Sequence, residues 1–300
     1  MCGTATNTEC GMNVCCNGSN YCGACFLGYY RGAPATSQTC RVVQPSNISV
    51  TKFTYLYYAF ASFDASFNLT ALKSATFQTW VVYASLVHLP IGKLSGSANR
   101  AKFITFIKAW MLKYGLQGVD LDWGVPGSPA DKSGYRALVK EMSTSLGTTC
   151  KISMAFPVDC GDMFWIDSAG MVPYLDSIGL ITYDQSNADG TVSAHTSIVT
   201  IASNTLLLRF DTVPPAKLNL GLATYSRGFT LGSTSYSTGV MALFDINDLI
   251  ASKGLTSTLN SAGLFKSIQF DNQWIAKDDA STVALKKGWT NDYCFEGTMV

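Results

Sequence analysis

Two carboxylates one residue apart, Asp120 and Asp122, lie in the stretch Gly115-Leu116-Gln117-Gly118-Val119-Asp120-Leu121-Asp122-Trp123-Gly124-Val125-Pro126-Gly127. Side chains alternate along a strand, so positions 120, 122 and 124 are expected to share one face. Two carboxylates on one buried face are costly unless they are paired or functional. Their proximity raises the proton affinity of one of them, the arrangement that holds a proton ready beside a charged partner. The alternative is a stabilising buried pair with no ligand.

The elements that must carry this pair read as alternating strands and helices. Strands are expected at Phe26–Tyr30, Phe53–Phe60, Trp80–Ser85, Gly118–Asp122, Lys151–Phe156, Ile178–Tyr183, Leu218–Ala223 and Gly297–Val300. They are short, rich in β-branched and aromatic residues, and often apolar on both faces, as buried parallel strands are. Helical spacing runs through Ala98–Tyr114 and Lys132–Leu146. The expected fold is an α/β protein, a (β/α)8 TIM barrel, with chemistry where its strands end. The pattern Gly239–Trp274 reads as a small α+β insertion after the seventh strand, bounded at 229–272. An open doubly wound sheet is the competing topology, but no Gly-x-Gly-x-x-Gly follows an early strand.

Composition narrows the setting. The 300 residues carry a net charge of +1 with only 14% charged residues, below the roughly 25% of ordinary soluble domains. Nucleic acid, which requires a basic face, is excluded as a partner, and no stretch approaches the ~20 apolar residues of a membrane span. Serine and threonine total 59 against 41 charged residues, so hydroxyls do much of the surface solvation.

Six of ten cysteines (Cys2, Cys10, Cys15, Cys16, Cys22, Cys25) fall in the first 25 residues; the others are Cys40, Cys150, Cys160 and Cys294. A zinc site would want histidine or spaced pairs, yet His88 and His195 are far away and Cys15-Cys16 are adjacent. A disulfide-rich amino-terminal cap is the better reading and implies an oxidising compartment. Sequons at Asn17, Asn47 and Asn68 agree with glycosylation of a secreted, extracellular chain. Met1 directly before Cys2 is the pattern of a start codon placed on a mature secreted sequence.

The Asp120–Asp122 segment resembles the D-G-x-D-x-D-W-E-Y-P signature of family 18 glycoside hydrolases, the chitinases. Along residues 26–300, Gly28-Tyr29-Tyr30 resembles that family's first strand, and Tyr58-Ala59-Phe60-Ala61 its second. Ile181-Thr182-Tyr183-Asp184 resembles the sixth-strand M-x-Y-D motif, and Tyr225-Ser226-Arg227 the seventh-strand Y-G-R motif. The closest flavour is the fungal branch. Residues 1–25 are similar to a hevein-like chitin-binding module, with spacing C-x7-C-x4-C-C-x5-C from Cys2 to Cys22. In that module sugars stack on aromatics; Ser19 replaces one here and Tyr21 keeps the other, so the segment reads as a degenerate disulfide cap, the alternative being weak chitin binding through Tyr21. The analogy implies pairings Cys2–Cys16, Cys10–Cys22 and Cys15–Cys25.

The departures decide the expected activity. The family cleaves chitin by substrate-assisted catalysis, an exception to the two-carboxylate scheme, with the signature glutamate as acid. Here that position is Gly124, the first aspartate is Gln117 and the tyrosine after the acid is Val125. The resemblance leaves Asp120, Asp122, Tyr183 and Asp184 to hold an N-acetyl group, Tyr225 and Arg227 to line the cleft, and Tyr29 and Phe60 to lie beneath the sugar. The expectation is a secreted, non-enzymatic, monomeric binder of chitin or N-acetylglucosamine oligomers, a pseudoenzyme or effector without metal or cofactor. The alternatives are a weak or altered hydrolase, with Asp184 or Asp159 as acid, and a structural or protein-binding relic of the barrel.

Overall fold

The computed structural model describes residues 25–31, 48–61, 82–87, 94–122, 124–185, 192–206, 208, 213–231 and 239–300. The cysteine-rich segment before Cys25, with Tyr21 and Asn17, lies outside the described residues, as do Asn47, Asn68, His88 and Trp123. Cys25 itself is disulfide-bonded.

Eight parallel strands close a barrel: β1 (Cys25–Arg31), β2 (Tyr55–Ala61), β3 (Val82–Val87), β4 (Gly118–Asp122), β5 (Lys151–Pro157), β6 (Ser177–Ile181), β7 (Leu218–Gly221) and, last in the chain, β13 (Gly297–Met299). Their order around the barrel is β1-β13-β7-β6-β5-β4-β3-β2, with β1 pairing both β13 and β2 to close it. The expected eight-stranded barrel is what forms, each strand within a few residues of its expected span.

Strand alternation sorts residues into two cores. Outward-facing Val119, Leu121, Ile152, Met154, Ile178, Leu180, Leu218 and Leu220 are buried in the layer between barrel and helices. Helix α1 (Ser97–Tyr114) packs Phe103 and Ile107 there, and α2 (Pro129–Leu146) packs Leu138, Val139 and Met142. The ends of both helices are set locally. Gly115 takes a left-handed φ of 64° and closes α1, the conformation glycine adopts without a Cβ penalty. Ser128 caps α2 by accepting from the Asp131 N–H, with Pro129 in the first turn, where its missing N–H costs nothing.

Inside the barrel, Leu27, Tyr57 and Met299 form an apolar side with Tyr29 and Tyr183 packed on it. The other side is polar. Ser153 donates to Asp120 Oδ1 (2.7 Å), and lower down Ser177 and Asn219 both donate to Glu296 Oε2 (2.7 Å each).

The insertion is larger than the expected 229–272. Its five strands are β8 (Tyr225–Thr230), β9 (Gly239–Ala242), β10 (Thr258–Asn260), β11 (Phe265–Phe270) and β12 (Gln273–Lys277). They form one antiparallel sheet in the order β10-β11-β12-β8-β9. The bounds widen because β8 and β12 pair with each other, Arg227 opposite Ala276 and Phe229 opposite Trp274. In sequence, Tyr225–Arg227 read as part of the barrel's seventh-strand motif; they belong to the insertion. A buried cluster of Ile246, Ile268 and Ile275 gives this unit its own core, with Ile246 contributed by its helix, Leu243–Lys253.

Candidate functional site

The carboxyl ends of the barrel strands surround a cavity of about 190 Å3. Tyr29, Phe60, Asp122, Ala155, Ile181, Tyr183, Leu222, Thr224, Tyr225, Met299 and Val300 line it. Five residues expected from sequence therefore meet around one cavity: Tyr29, Phe60, Asp122, Tyr183 and Tyr225. Position along the strands explains this convergence. Asp122 ends β4, Ile181 ends β6, Met299 ends β13, and Leu222 follows β7.

Asp120 sits one pleat deeper, fully buried. Its Oδ2 accepts from the Tyr29 hydroxyl (3.0 Å) and its Oδ1 from Ser153, so the buried charge is hydrogen-bonded from both sides. Burial, then the charge of Asp120, pushes the Tyr29 phenol well above its ordinary range. Tyr29 also stacks on Tyr57, ring centroids 4.6 Å apart, which fixes its ring as one face of the site. Tyr183 is kept protonated in the same way: burial, Asp122, Asp184 and Asp120 raise it to about 12. It therefore presents a hydroxyl donor at any physiological pH. Room for its ring comes from Gly221, where an added Cβ would collide with the Leu180 carbonyl and lie 2.9 Å from the ring.

Asp184 and Arg227 do not wall the cavity. They pair with each other at its edge, Arg227 Nε donating to Asp184 Oδ1 at 2.6 Å. Burial alone would raise the Asp184 carboxyl, but the polar groups of His195, Arg227 and Tyr225 beside it outweigh this and hold it well below the usual carboxylate range. Burial and the bond to Asp184 raise the Tyr225 phenol in turn.

Two expectations at the signature need correction. Gln117 is exposed and precedes β4, at the opposite end of the barrel from Asp122. Five residue steps of roughly 3.3 Å separate them, so Gln117 takes no part in the site. Gly124 does not share the strand face of Asp120 and Asp122. β4 ends at Asp122, and Gly124 follows with φ +81° and open space where a Cβ would be.

Sequence reasoning missed Ser153, although its place opposite Asp120 on β5 is a register consequence. It also missed His195, which stands eleven residues beyond Asp184 with no local pattern to mark it. Among the described residues no group of histidine, cysteine, aspartate and glutamate is arranged to hold a metal ion.

Comparison with known proteins agrees with this architecture. The chain is 20% identical to a point mutant of a class V chitinase from Nicotiana tobaccum solved in complex with NAG4, with a TM-score of 0.77 over 91% of this chain and 92% of that one. It is 19% identical to a plant class V chitinase mutant from Cycas revoluta solved with (GlcNAc)3, TM-score 0.77, covering 92% and 94%. Among sequences, it is 26% identical over 256 residues to a probable endochitinase of Caenorhabditis elegans, covering 70% of this chain and 40% of that protein. Chitotriosidase-1 of Mus musculus is 25% identical over 251 residues, 68% of this chain and 52% of its own length. The chain thus spans about half or less of these two relatives. The profile described as glycosyl hydrolases family 18 matches residues 26–300, and the chain belongs to that family.

Proposed function

We propose that this chain is a secreted, non-catalytic binder of chitin oligosaccharides, an inactive relative of the chitinases. The observation that carries the reading is the contrast at the end of β4: Gly124 offers no proton, while Asp122 and Tyr183 still face a common cavity with Tyr29, Phe60 and Tyr225. A sugar alkoxide is a poor leaving group, and a general acid contributes about 10²–10⁴-fold to its departure. A carboxylate, a protonated phenol and flat aromatic walls suit an acetamido group and an apolar sugar face. The ligand class is carried over from the plant relatives captured with NAG4 and (GlcNAc)3.

The competing hydrolytic reading needs another acid. Asp184 is held in its charged form by the groups around it, which leaves it no proton to give near neutral pH. Asp159 is exposed and its Oδ1 is engaged by the Gly161 N–H at 2.8 Å.

Calorimetric titration with chitin hexamer, run beside a reducing-end assay on the same sugar, tests the proposal. Heat of binding without new reducing ends is expected. Release of reducing ends, or of an activated aryl leaving group, at rates near an ordinary chitinase would overturn it. Absence of binding heat would leave a structural or protein-binding role. Acting by occupancy, the protein would sequester fragments from a receptor or enzyme, which needs a dissociation constant of about 1 μM (about −8 kcal/mol) or tighter.

A further inference from the structure

We infer that His195 is a positioning residue: it braces Asp184 from behind, so that the insertion sets the edge of the candidate site. Asp184 follows β6 with a positive φ of 60°, a conformation an aspartate keeps only where its surroundings enforce it. His195 supplies that enforcement from two atoms. Its carbonyl accepts from the Gln185 N–H (3.1 Å), and its ring Nδ1 accepts from the Asp184 N–H (3.4 Å). The same Nδ1 lies 3.6 Å from Asp184 Oδ1, on which Arg227 converges.

The histidine is itself held by the insertion. Ala194, the preceding residue, packs in a cluster with Phe265 of β11 and Ala276 of β12. The Ile198 N–H donates to the Gly263 carbonyl at 2.9 Å, at the turn before β11. The ring lies against Tyr225 of β8, centroids 5.2 Å apart. Asp184 is therefore gripped by the insertion twice, through Arg227 on one side and His195 on the other.

Packing alone does not account for a histidine here. The residue is 1% exposed, and its Nε2 is buried with no hydrogen-bond partner among the described residues. An orphaned buried polar atom costs stability that an apolar side chain of similar size would avoid. What the apolar side chain could not do is take the Asp184 N–H. The titratable and charged groups facing Asp184 are then His195, Arg227, Tyr225 and Tyr183.

The inference rests on the proposed sugar-binding reading for its functional meaning, so the test has a readout that needs no ligand. His195→Asn places a side-chain oxygen near the Nδ1 position, whereas His195→Gln carries its amide out toward Nε2. Hydrogen exchange of the Asp184 amide is followed by nitrogen NMR, and chitin tetramer affinity is measured on the same variants. In His195→Asn the Asp184 amide is expected to exchange as slowly as in the parent, with affinity within about three-fold. In His195→Gln and His195→Leu it should exchange about ten-fold faster or more, with affinity lowered about ten-fold or more. Equal exchange in the Asn and Gln variants, both folded by circular dichroism, would overturn the inference, and these two polar variants decide it even where the leucine variant does not fold. If the parent protein binds no tetramer, the sugar-binding reading fails, while the exchange still decides the role of His195.

Discussion

Arg227 Nε and Asp184 Oδ1 are 2.6 Å apart, and this one contact ties a strand of the insertion to the loop that follows β6. Because the folded carboxyl is held below its unfolded value, the pair contributes stability above about pH 3.9 and loses it as pH falls toward the folded midpoint. The side chains are 26% and 41% exposed, which limits such a pair to about 0.2–1 kcal/mol. Arg227→Ala should therefore barely move the melting temperature, yet raise the pH at which Asp184 titrates. A carboxyl that titrates unchanged without the guanidinium would refute the pairing.

On the proposed non-catalytic reading, Gly124→Glu is expected to confer little or no chitinase activity. Any residue with a Cβ at φ +81° is strained, at about 1–2 kcal/mol, so the protein should also melt earlier. The space around the missing Cβ is open, so the obstacle is backbone angle rather than crowding. Adding Gln117→Asp should change nothing at the acid, since Gln117 lies at the far end of the strand. Near-full hydrolysis from Gly124→Glu alone would show that only the acid had been lost.

Tyr183→Phe combined with Asp122→Ala should weaken binding of N-acetylglucosamine oligomers while leaving the barrel folded. Losing one hydrogen-bonded partner in a buried site costs about 1–3 kcal/mol, roughly 10- to 100-fold. Deacetylated oligomers should lose a similar amount against the unmodified protein. Equal affinity for chitin and chitosan oligomers in calorimetry would remove the acetamido clamp from consideration.

Glu296 offers a stability test far from the cavity. Burial raises its carboxyl above the usual range, and the bonds from Ser177 and Asn219 offset this only in part. A carboxyl raised by folding favours the native state when protonated, and that advantage fades as pH rises above the unfolded value of about 4.3. Glu296→Gln keeps a carbonyl for Ser177 and Asn219 without the charge. It should match the parent near pH 4 and melt at higher temperature near pH 8. A gain that is larger at pH 4 than at pH 8 would contradict the burial argument.

Much of this protein can be read from its sequence because strand and helix patterns are local. The alternation in Gly118–Asp122 puts Asp120 and Asp122 on one inward face, and apolar runs such as Lys151–Phe156 mark strands buried on both sides. The serine of that same strand, Ser153, becomes a partner of Asp120 only through register between neighbouring strands, which no single segment encodes. The reading of position 124 as a continuation of the strand fails for a related reason. Where a strand ends is set by its neighbours' hydrogen bonds as well as by its own residues, and Gly124 lies past that limit in a left-handed conformation.

Residue identity and short-range periodicity suffice for the inward carboxylate pair, for the absence of a proton donor at position 124, and for the succession of strands and helices along the chain. They do not suffice for the pairing of Asp184 with Arg227, for the origin of Tyr225 in the insertion, or for His195 behind Asp184. Those contacts join residues 11 to 43 positions apart. They exist because the β8–β12 pairing carries one wall of the site onto the mouth of the barrel, and the packing of two separate cores specifies that placement.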